Sequence, residues 1–324
     1  MIDTKSKRIL VTGGAGFLGS HICERLISGG HEVICLDDLS SGLKDNISRL
    51  LDDPKFEFIE QDVTQPLSLQ VDEIYNLACP ASPAFYMRDP VHTIKTCVNG
   101  AINMLELARE LDAAILQAST SEVYGDPELH PQAESYRGRV NPIGVRGCYA
   151  EGKRCAESLF FDYRRRYGTR IKIARIFNTY GPRMRPDDGR VISNFIVQTH
   201  AEKPLTVYGD GRQTRAFCYV DDMVDGLIGL METDDRTTGP INLGCPDEIS
   251  ILDLARLIAR ESAAEPLVIH LPQPGDDPRC RKPDITEAKA LLQWEPTVPL
   301  REGIRRVIDH CRCNAWAPPG GAGA

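Results

Sequence analysis

A glycine-rich turn near the amino terminus constrains this chain more than any other feature. Residues 8–12 form a short apolar run that leads into Gly13, Gly16 and Gly19, and a helical pattern follows. Glycines at these points let the backbone turn tightly and approach a pyrophosphate, which then lies at the helix amino terminus. We therefore predict a dinucleotide site that also includes Phe17 and Leu18 of the same turn.

An acidic residue at the end of the next apolar run indicates which dinucleotide binds. Residues 32–36 are followed by Asp37, which lies 18 residues after Gly19. A carboxylate there can bind both ribose hydroxyls and repels a 2′-phosphate. The sequence therefore predicts NAD rather than NADP, and the alternative is an ordinary glycine-rich turn between a strand and a helix.

Size and charge exclude several classes of protein. The 324 residues suggest two domains or one large α/β unit. The net charge of −8 argues against nucleic acid, whose phosphates need a basic surface. No apolar run reaches the roughly 18 residues of a membrane helix, and the amino terminus lacks a signal-peptide pattern. We expect a cytoplasmic protein with no nucleic-acid or membrane partner.

The cysteines favour free thiols over a metal site. Most of the eleven stand singly in apolar segments, as Cys23, Cys35, Cys97 and Cys155 do. The chain has no CxxC pair, and two cysteines at positions 311 and 313 are too close to form a zinc site alone. The sequence predicts buried thiols in a reducing compartment and no metal.

Segments of strand length alternate with helical ones through the first half of the chain. Predicted strands cover residues 55–61, 73–78, 114–118 and 170–177, and a long helical pattern covers residues 91–110. This alternation predicts an α/β fold, a Rossmann-type doubly wound parallel sheet with helices on both faces. Ligands bind beyond the carboxyl ends of the strands in such a sheet.

The pattern of helices, strands and loops in the second half of the chain predicts a smaller carboxyl-terminal substrate lobe. We assign residues 1–180 and about 216–245 to the NAD-binding domain, residues 181–215 and 246–312 to the lobe, and residues 313–324 to a disordered tail. Ser250 is the expected amino-terminal cap of one helix in the lobe. The predicted helices cover residues 191–202, 222–231, 249–262 and 300–313, and the predicted strands cover residues 205–208 and 241–243.

A tyrosine and a lysine are the first candidates for chemistry. Tyr149 and Lys153 are four residues apart and share a face if their segment is helical. A nearby ammonium stabilises a phenolate, so the tyrosine could accept a hydroxyl proton, and the lysine could also hold the nicotinamide ribose. The same spacing arises by chance, and a surface helical pair is the alternative.

A hydroxyl and a carboxylate follow the strand predicted at residues 114–118. Thr120 and Glu122 therefore lie at the edge of the sheet where ligands are expected. Together they could hydrogen-bond a sugar and move a proton. The alternative is a polar turn with a helix cap.

Arginines in or beside the loops of the second half form the third group. Arginine forks match the geometry of phosphate and carboxylate, although most surface arginines are solvated. We expect Arg215 and Arg281 to bind substrate. The other members are Arg183, Arg185, Arg190 and Arg279.

Taken together, these residues resemble the extended short-chain dehydrogenase/reductase family over nearly the whole chain, from about residue 8 to residue 312. Within that family they are most similar to the enzymes that decarboxylate UDP-glucuronate to UDP-xylose. The stretches that carry the resemblance are residues 76–83, 119–127, 175–184, 188–195 and 281–284.

The resemblance implies a reaction. Tyr149, helped by Thr120 and Lys153, would deprotonate the C4 hydroxyl of UDP-glucuronate while NAD accepts the C4 hydride. The C5 carboxylate is then β to a ketone and can leave as CO2, because its electrons flow into the carbonyl. Protonation at C5 and return of the hydride would give UDP-xylose without consuming NAD.

The resemblance also implies the roles of further residues. Glu122 and Arg281 would serve the decarboxylation, with Ser121 beside them in the site. NAD would contact Asp38, Asp62, Val63 and Leu77. The UDP part of the substrate would contact Asn178, Arg190, Asn194, Tyr208 and Arg215, and the sugar would contact Tyr86 and Lys95.

Four alternatives remain open. A related enzyme carries out the same decarboxylation but releases the 4-keto pentose and NADH. A nucleotide-sugar 4,6-dehydratase places Asp-Glu after the threonine, where this chain has Ser121-Glu122, and a 4-epimerase needs no carboxylate there. A non-catalytic NAD-binding sensor would be expected to lack Tyr149, Lys153 or Thr120.

The family is typically dimeric, so the resemblance implies a homodimer. The helices near residues 91–110 and 149–166 would pair with their mates in a four-helix contact. Apolar side chains on both segments permit this arrangement, namely Ile94, Val98, Ile102, Leu105, Leu159, Phe160 and Tyr163.

Overall fold

Parallel strands form the centre of the protein, as the alternating pattern predicts. The structure, a computed structural model, describes residues 6–272 and 280–313. The strands are β1 (Arg8–Thr12), β2 (Glu32–Asp37), β3 (Phe56–Glu60), β4 (Glu73–Asn76), β5 (Ala114–Thr120), β6 (Ile171–Ile176), β7 (Thr179–Tyr180), β8 (Leu205–Tyr208), β9 (Thr214–Ala216), β10 (Cys218–Tyr219), β11 (Ile241–Leu243), β12 (Glu248–Ser250) and β13 (Val268–Leu271). Seven of them form one sheet in the order β3-β2-β1-β4-β5-β6-β11, and every neighbouring pair is parallel.

Helices cover both faces of this sheet. They are α1 (Phe17–Ser28), α2 (Pro83–Tyr86), α3 (Pro90–Lys95), α4 (Ala101–Leu111), α5 (Gly147–Tyr167), α6 (Val191–His200), α7 (Val220–Glu232), α8 (Ile251–Glu261), α9 (Thr286–Leu292) and α10 (Leu300–Cys313). A π-helical segment, Thr96–Gly100, joins α3 to α4, so the predicted helix at 91–110 is three consecutive pieces. Short 3₁₀ helices span Lys44–Leu50 and Ser121–Tyr124.

Alternating side chains of the strands produce two hydrophobic clusters. On β1, Ile9 and Val11 belong to one cluster, which also contains residues of α1 and α7. Leu10, between them, belongs to the other cluster with residues of α4 and α5. Because neighbouring residues of a strand point to opposite faces, a strand buried on both faces must be apolar throughout.

The chain changes direction across the sheet between β1 and β4. From β1 it moves outward through β2 to β3, and from β4 it moves the other way through β5 to β6. The connecting helices therefore leave opposite faces, and a crevice opens at the carboxyl ends of β1 and β4. This crevice is where the sequence predicts the ligand.

Strand β4 ends earlier than the sequence predicts. It stops at Asn76 rather than at residue 78, because the Thr12 hydroxyl takes over the hydrogen bonding at the sheet edge. Thr12 Oγ1 accepts from the backbone N–H groups of Leu77 and Ala78, both at 3.1 Å. The chain after β4 can then leave the sheet and pass over the glycine-rich turn.

The second half of the chain contains more β-strands than the sequence predicts. Strand β11 pairs with β6, so the chain returns to the main sheet there. Three additional two-stranded pairs, β7 with β10, β8 with β13 and β9 with β12, lie outside it. The first of these begins soon after β6, at Thr179–Tyr180. Helix α10 matches its predicted bounds and includes Cys313, and residues 314–324 of the predicted tail lie outside the described residues.

All eleven cysteines lie in the described residues and are free thiols. Cys23, Cys35 and Cys97 are buried as predicted. Cys155 is exposed, because α5 turns this position away from the sheet.

The cap of α8 provides a test of the predicted helix start. Ser250 Oγ accepts a hydrogen bond from the backbone N–H of Asp253 at 3.0 Å. We expect Ser250→Ala to lower the free energy of unfolding by about 1 kcal/mol, because a helix-terminal N–H loses its acceptor. Chemical denaturation measures this. Ser158→Ala, at an exposed position inside α5, is the control and should cost nothing, since alanine favours helix; equal losses in both would contradict the prediction.

Candidate active site

One large cavity lies at the carboxyl ends of the parallel strands. Its volume is about 660 Å³, within the range of small-molecule sites. Residues at the ends of β2, β5 and β6 form one wall, and residues of α6, β8 and β9 form the other. A ligand here would therefore contact both the main sheet and the elements that follow it.

The glycine-rich turn forms the floor of this cavity, and its glycines are required by close backbone contacts. Gly13 has φ of +69°, and an added Cβ would lie 2.9 Å from the backbone nitrogen of Ala78. A Cβ on Gly19 would lie 2.1 Å from the Gly13 carbonyl oxygen. A side chain at either position would clash with backbone, so the turn into α1 depends on both glycines, and the first residues of α1 line the cavity.

The acidic residue predicted for the ribose is in place. Asp37 is buried, lines the cavity, and accepts hydrogen bonds from the backbone N–H groups of Ala15 at 3.0 Å and Leu39 at 2.9 Å. Burial raises the pKa of its carboxyl group. Asp37 thus stabilises the turn as well as facing the ligand.

The dinucleotide prediction fits this end of the cavity. The glycines leave room for a pyrophosphate against the start of α1, and Asp37 lies next to it. The other residues predicted to contact NAD also line the cavity, namely Phe17, Leu18, Asp38, Asp62, Val63 and Leu77.

Tyr149 and Lys153 are buried and lie together in the cavity wall. Their exposed fractions are 6% and 3%, which excludes the alternative of a solvated surface pair. Lys153 Nζ donates to the carbonyl oxygen of Ala118 at 2.8 Å and lies 5.9 Å from the centre of the Tyr149 ring. The lysine therefore ties α5 to the end of β5 and places a positive charge near the phenol.

Thr120 lies beside Tyr149 at the end of β5. Burial raises the pKa of the Tyr149 phenol well above its ordinary value, and a hydrogen bond with Thr120 opposes this shift. The phenol is therefore protonated at neutral pH. Thr120 Oγ1 also accepts from the backbone N–H of Glu122 at 3.2 Å, which fixes the turn that follows.

Glu122 meets two arginines from distant parts of the chain. Its Oε1 lies 2.9 Å from Arg281 Nη1 and 3.5 Å from Arg146 Nη1. Burial alone would raise the pKa of Glu122, but Arg281 and Arg146 outweigh it and hold the pKa below its ordinary value. Glu122 is therefore a carboxylate at neutral pH, which accepts protons and hydrogen bonds and does not act as an acid.

The two residues predicted to lie near the sugar differ in position. Tyr86 is buried, and its ring stacks on Tyr149 with the centres 5.1 Å apart and the planes 3° apart. Lys95 is exposed at the end of α3, and neither of the two residues lines the cavity directly. His92 and Thr96, on the neighbouring helical turns, line it instead.

The residues predicted to hold the UDP part line the opposite wall. Arg215 is buried, whereas Tyr208 is exposed at the cavity mouth. Arg190 Nη2 donates to the carbonyl oxygen of Ala81 at 3.1 Å and so links the two walls. The full set in the cavity is Asn178, Arg190, Asn194, Tyr208 and Arg215, and Ser121 is present on the facing wall. Of the remaining arginines, Arg183 and Arg185 also line the cavity, and Arg279 lies outside the described residues.

Sequence reasoning missed several residues of the site, above all Arg146. It lies one helical turn before Tyr149, and that spacing was the available signal. Residues 78–83 also line the cavity, since they follow β4 directly. Other missed residues are His92, Thr96, Thr179 and Gln213.

The sequence predicts no metal. Among the residues that the structure describes, Asp38, Asp62 and His92 place potential ligand atoms within 4.8 Å of one another. All three line the cavity. We make no metal assignment from them.

A family model now decides the class of protein. The model of the NAD dependent epimerase/dehydratase family matches residues 9–244 of this chain. This range includes the glycine-rich turn, Thr120, Tyr149 and Lys153. This chain belongs to that family. The cofactor prediction of NAD is thereby confirmed, as is the predicted relationship to the extended short-chain enzymes.

Members of the family with high similarity include decarboxylases. The chain is 57% identical to UDP-glucuronic acid decarboxylase 5 of Arabidopsis thaliana, over 92% of this chain and 87% of the relative. It is 52% identical to UDP-glucuronic acid decarboxylase 1 of Xenopus tropicalis, over 94% of this chain and 72% of the relative.

Solved structures of the family share the fold. UDP-glucuronic acid 4-epimerase from Bacillus cereus, in complex with UDP-glucuronic acid and NAD, matches with a TM-score of 0.84 and 30% identity. The match covers 94% of this chain and 99% of the epimerase. This likeness confirms the predicted Rossmann-type sheet. Within the described residues, none of the helices has the length and apolar character needed to cross a membrane.

The close approach of Gly19 to Gly13 leads to a testable prediction about NAD binding. In Gly19→Ala the new methyl group meets the backbone of Gly13 and Gly14, so the turn must shift, and we expect NAD affinity to fall at least about tenfold, or 1.4 kcal/mol. Calorimetric titration with NAD measures this. Gly229→Ala in α7, where an added Cβ meets nothing within 4 Å, is the matched control and should bind NAD normally. Normal NAD affinity in Gly19→Ala would refute the role of the turn.

Proposed function

We propose that this chain converts UDP-glucuronate to UDP-xylose and CO2. The observation that carries the proposal is the position of Glu122, between Arg281 and Arg146 and next to the Thr120–Tyr149 pair. The Thr120–Tyr149 pair, which can deprotonate the C4 hydroxyl, thus shares one cavity with arginines that can bind the carboxylate of a sugar acid. The named decarboxylases at 52–57% identity support the same reaction.

Oxidation at C4 depends on Tyr149. The phenol is hydrogen-bonded to Thr120 and close to the Lys153 ammonium, so both groups favour the phenolate that takes the C4 hydroxyl proton. When bound, NAD would supply the hydride acceptor for C4, a positive charge that favours the phenolate, and later the hydride that is returned.

Decarboxylation follows from the ketone. The bond between C5 and the carboxyl carbon breaks, CO2 leaves, and the electron pair moves through the new C4–C5 double bond onto O4. Tyr149, now protonated, and Thr120 are the donors at hand for that developing oxyanion. Each guanidinium has five N–H donors, so Arg281 and Arg146 can bind the substrate carboxylate while keeping Glu122 in place.

The enolate is then protonated at C5, in the position that the carboxyl group has left. The reaction takes up one proton from solvent for each CO2 released, and we assign to Arg281 and Glu122 the positioning of the water that delivers it, since both are in the cavity and are ion-paired. The 4-keto pentose remains next to Tyr149, which returns its proton to O4 as the ketone is reduced. The product is UDP-xylose, and NAD is regenerated.

The state of Glu122 disfavours a 4,6-dehydratase. Loss of the C6 hydroxyl as water requires an acid at C6, whereas Arg281 and Arg146 keep Glu122 deprotonated. A 4-epimerase would leave the Glu122–Arg281 pair without a role. The oxidative decarboxylase differs only in releasing its product before reduction, and the product decides between the two.

Product analysis with the purified chain, NAD and UDP-glucuronate tests the proposal. We expect CO2 and UDP-xylose in equal amounts and no net NADH, because the hydride is returned. Tyr149→Phe, which lacks the proton acceptor but keeps the ring, should bind NAD and form no product. Release of the 4-keto pentose with one NADH per CO2 would assign the oxidative decarboxylase. UDP-galacturonate as product would assign a 4-epimerase.

We also propose that the chain forms a homodimer through α3, α4 and α5. Leu105 and Phe160 on these segments are fully buried in the core, whereas Val91 and Ile94 are 62% and 42% exposed. Thus α4 and α5 pack apolar residues into the core, while α3 beside them presents apolar residues to solvent, which favours a partner surface.

Sedimentation equilibrium checks the dimer. We expect twice the chain mass for the native protein and a shift to monomer in Ile94→Glu, because a charge would be buried at the contact. Leu291→Glu, at an exposed apolar position on α9, is the control and should stay dimeric. A monomeric native chain would contradict the proposal.

A further inference from the structure

The chain around Arg281 lies outside helices and strands, yet it is held firmly by one side chain. Gln132 is only 1% exposed, and its Oε1 accepts a hydrogen bond from the backbone N–H of Lys282 at 2.9 Å. Its Nε2 donates to the carbonyl oxygen of Leu129 at 2.8 Å, which fixes the amide's orientation. The residue directly after Arg281 is therefore fixed by the Gln132 side chain.

The backbone of Gln132 extends this contact along the same segment. Its N–H donates to the carbonyl oxygen of Lys282 at 2.9 Å, and its carbonyl oxygen accepts from the N–H of Asp284 at 2.8 Å. These bonds form a short parallel bridge beside Pro283. Lys282 thus uses both of its backbone groups on one residue, 150 positions away in the sequence.

A second buried amide joins this bridge to the turn that carries Glu122. Asn242, on β11, is fully buried, and its Nδ2 donates to the carbonyl oxygens of Gln132 at 2.9 Å and Asp284 at 3.1 Å. Its Oδ1 accepts from the Tyr124 hydroxyl at 2.7 Å, and Tyr124 ends the 3₁₀ turn of Glu122. One set of buried amides therefore sets the distance between Glu122 and Arg281.

We propose that Gln132 is a positioning residue for the decarboxylation step and holds Arg281 against Glu122. This inference rests on the proposed function. Without Oε1 at Gln132, the partly buried N–H of Lys282 loses its acceptor. The backbone bonds of the bridge still hold the other side of Lys282, so the peptide between Arg281 and Lys282 is the part that shifts. Arg281 moves with it, since the two residues share a peptide bond.

The groups that oxidise C4 are held by different contacts. Tyr149, Lys153 and Thr120 lie on α5 and β5, and Lys153 is bonded to Ala118 rather than to the Gln132 bridge. A change at Gln132 should therefore separate the two halves of the reaction. Oxidation should proceed, and loss of CO2 should lag behind it.

Rapid mixing of the NAD-loaded enzyme with UDP-glucuronate tests this separation. Gln132→Met keeps the length of the side chain but removes the acceptor. We expect CO2 release to slow about tenfold or more while reduction of bound nicotinamide changes less than about twofold, so that bound NADH accumulates. Accumulation of NADH is a gain of signal that an unfolded protein cannot give.

Two further variants define the contact. Gln132→Asn is one methylene shorter and keeps a polar amide that falls short of Lys282, so it should behave like Gln132→Met; it also serves if Gln132→Met does not fold. Lys282→Ala removes the side chain but keeps the backbone N–H that Gln132 binds. This control should release CO2 at the native rate.

The outcomes are distinguishable. A native rate of CO2 release in both Gln132 variants would overturn the positioning role. Equal slowing of both steps in folded, NAD-binding variants would overturn it too, because Gln132 would then support the site as a whole. Failure of the native enzyme to release CO2 would refute the proposed function instead.

Discussion

The proposed chemistry depends on the ion pair between Glu122 and Arg281. The two residues are 159 positions apart, and both are almost fully buried. Burying two charges costs more than their attraction returns unless further hydrogen bonds hold them in good geometry. Arg146 supplies a second cation for Glu122, and the Gln132 and Asn242 amides hold the backbone on either side. The surrounding hydrogen bonds and packing therefore hold Glu122 and Arg281 together, more than the attraction between their charges does.

The part of the site that oxidises C4 depends on how α5 packs against the sheet. A tyrosine and a lysine four residues apart form a catalytic pair only if that face of the helix is turned inward. The hydrogen bond from Lys153 to Ala118 makes this contact, and it brings the Tyr149 hydroxyl to Thr120 at the end of β5. Burial then raises the pKa of the phenol, so the resting enzyme holds a neutral tyrosine. A positive charge near the phenol, as Lys153 provides, favours its ionised form.

Local patterns made much of this site predictable. The glycine spacing, the acid after β2 and the Tyr149–Lys153 interval each describe contacts within one strand–helix unit, where sequence distance and spatial distance are nearly the same. Lys95 shows the limit of carrying a residue over from a resemblance, because its position on the last turn of α3 points it to solvent. Arg146 was visible in principle from its interval to Tyr149, but only the contact with Glu122 gives it a role. Gln132 and Asn242 carry no local signal at all.

By itself, the sequence determined the parallel sheet, the dinucleotide turn and the residue types of the reaction. These follow from periodicity, glycine geometry and side-chain chemistry, which act over a few residues. Only the tertiary structure decided that Glu122 is an anion, that Tyr149 is buried beneath a stacked Tyr86, and that Arg281 reaches the end of β5. Charge state and burial depend on neighbours far away in the chain, and these neighbours meet only when Tyr86, Arg146 and the segment around Arg281 pack at the same edge of the sheet.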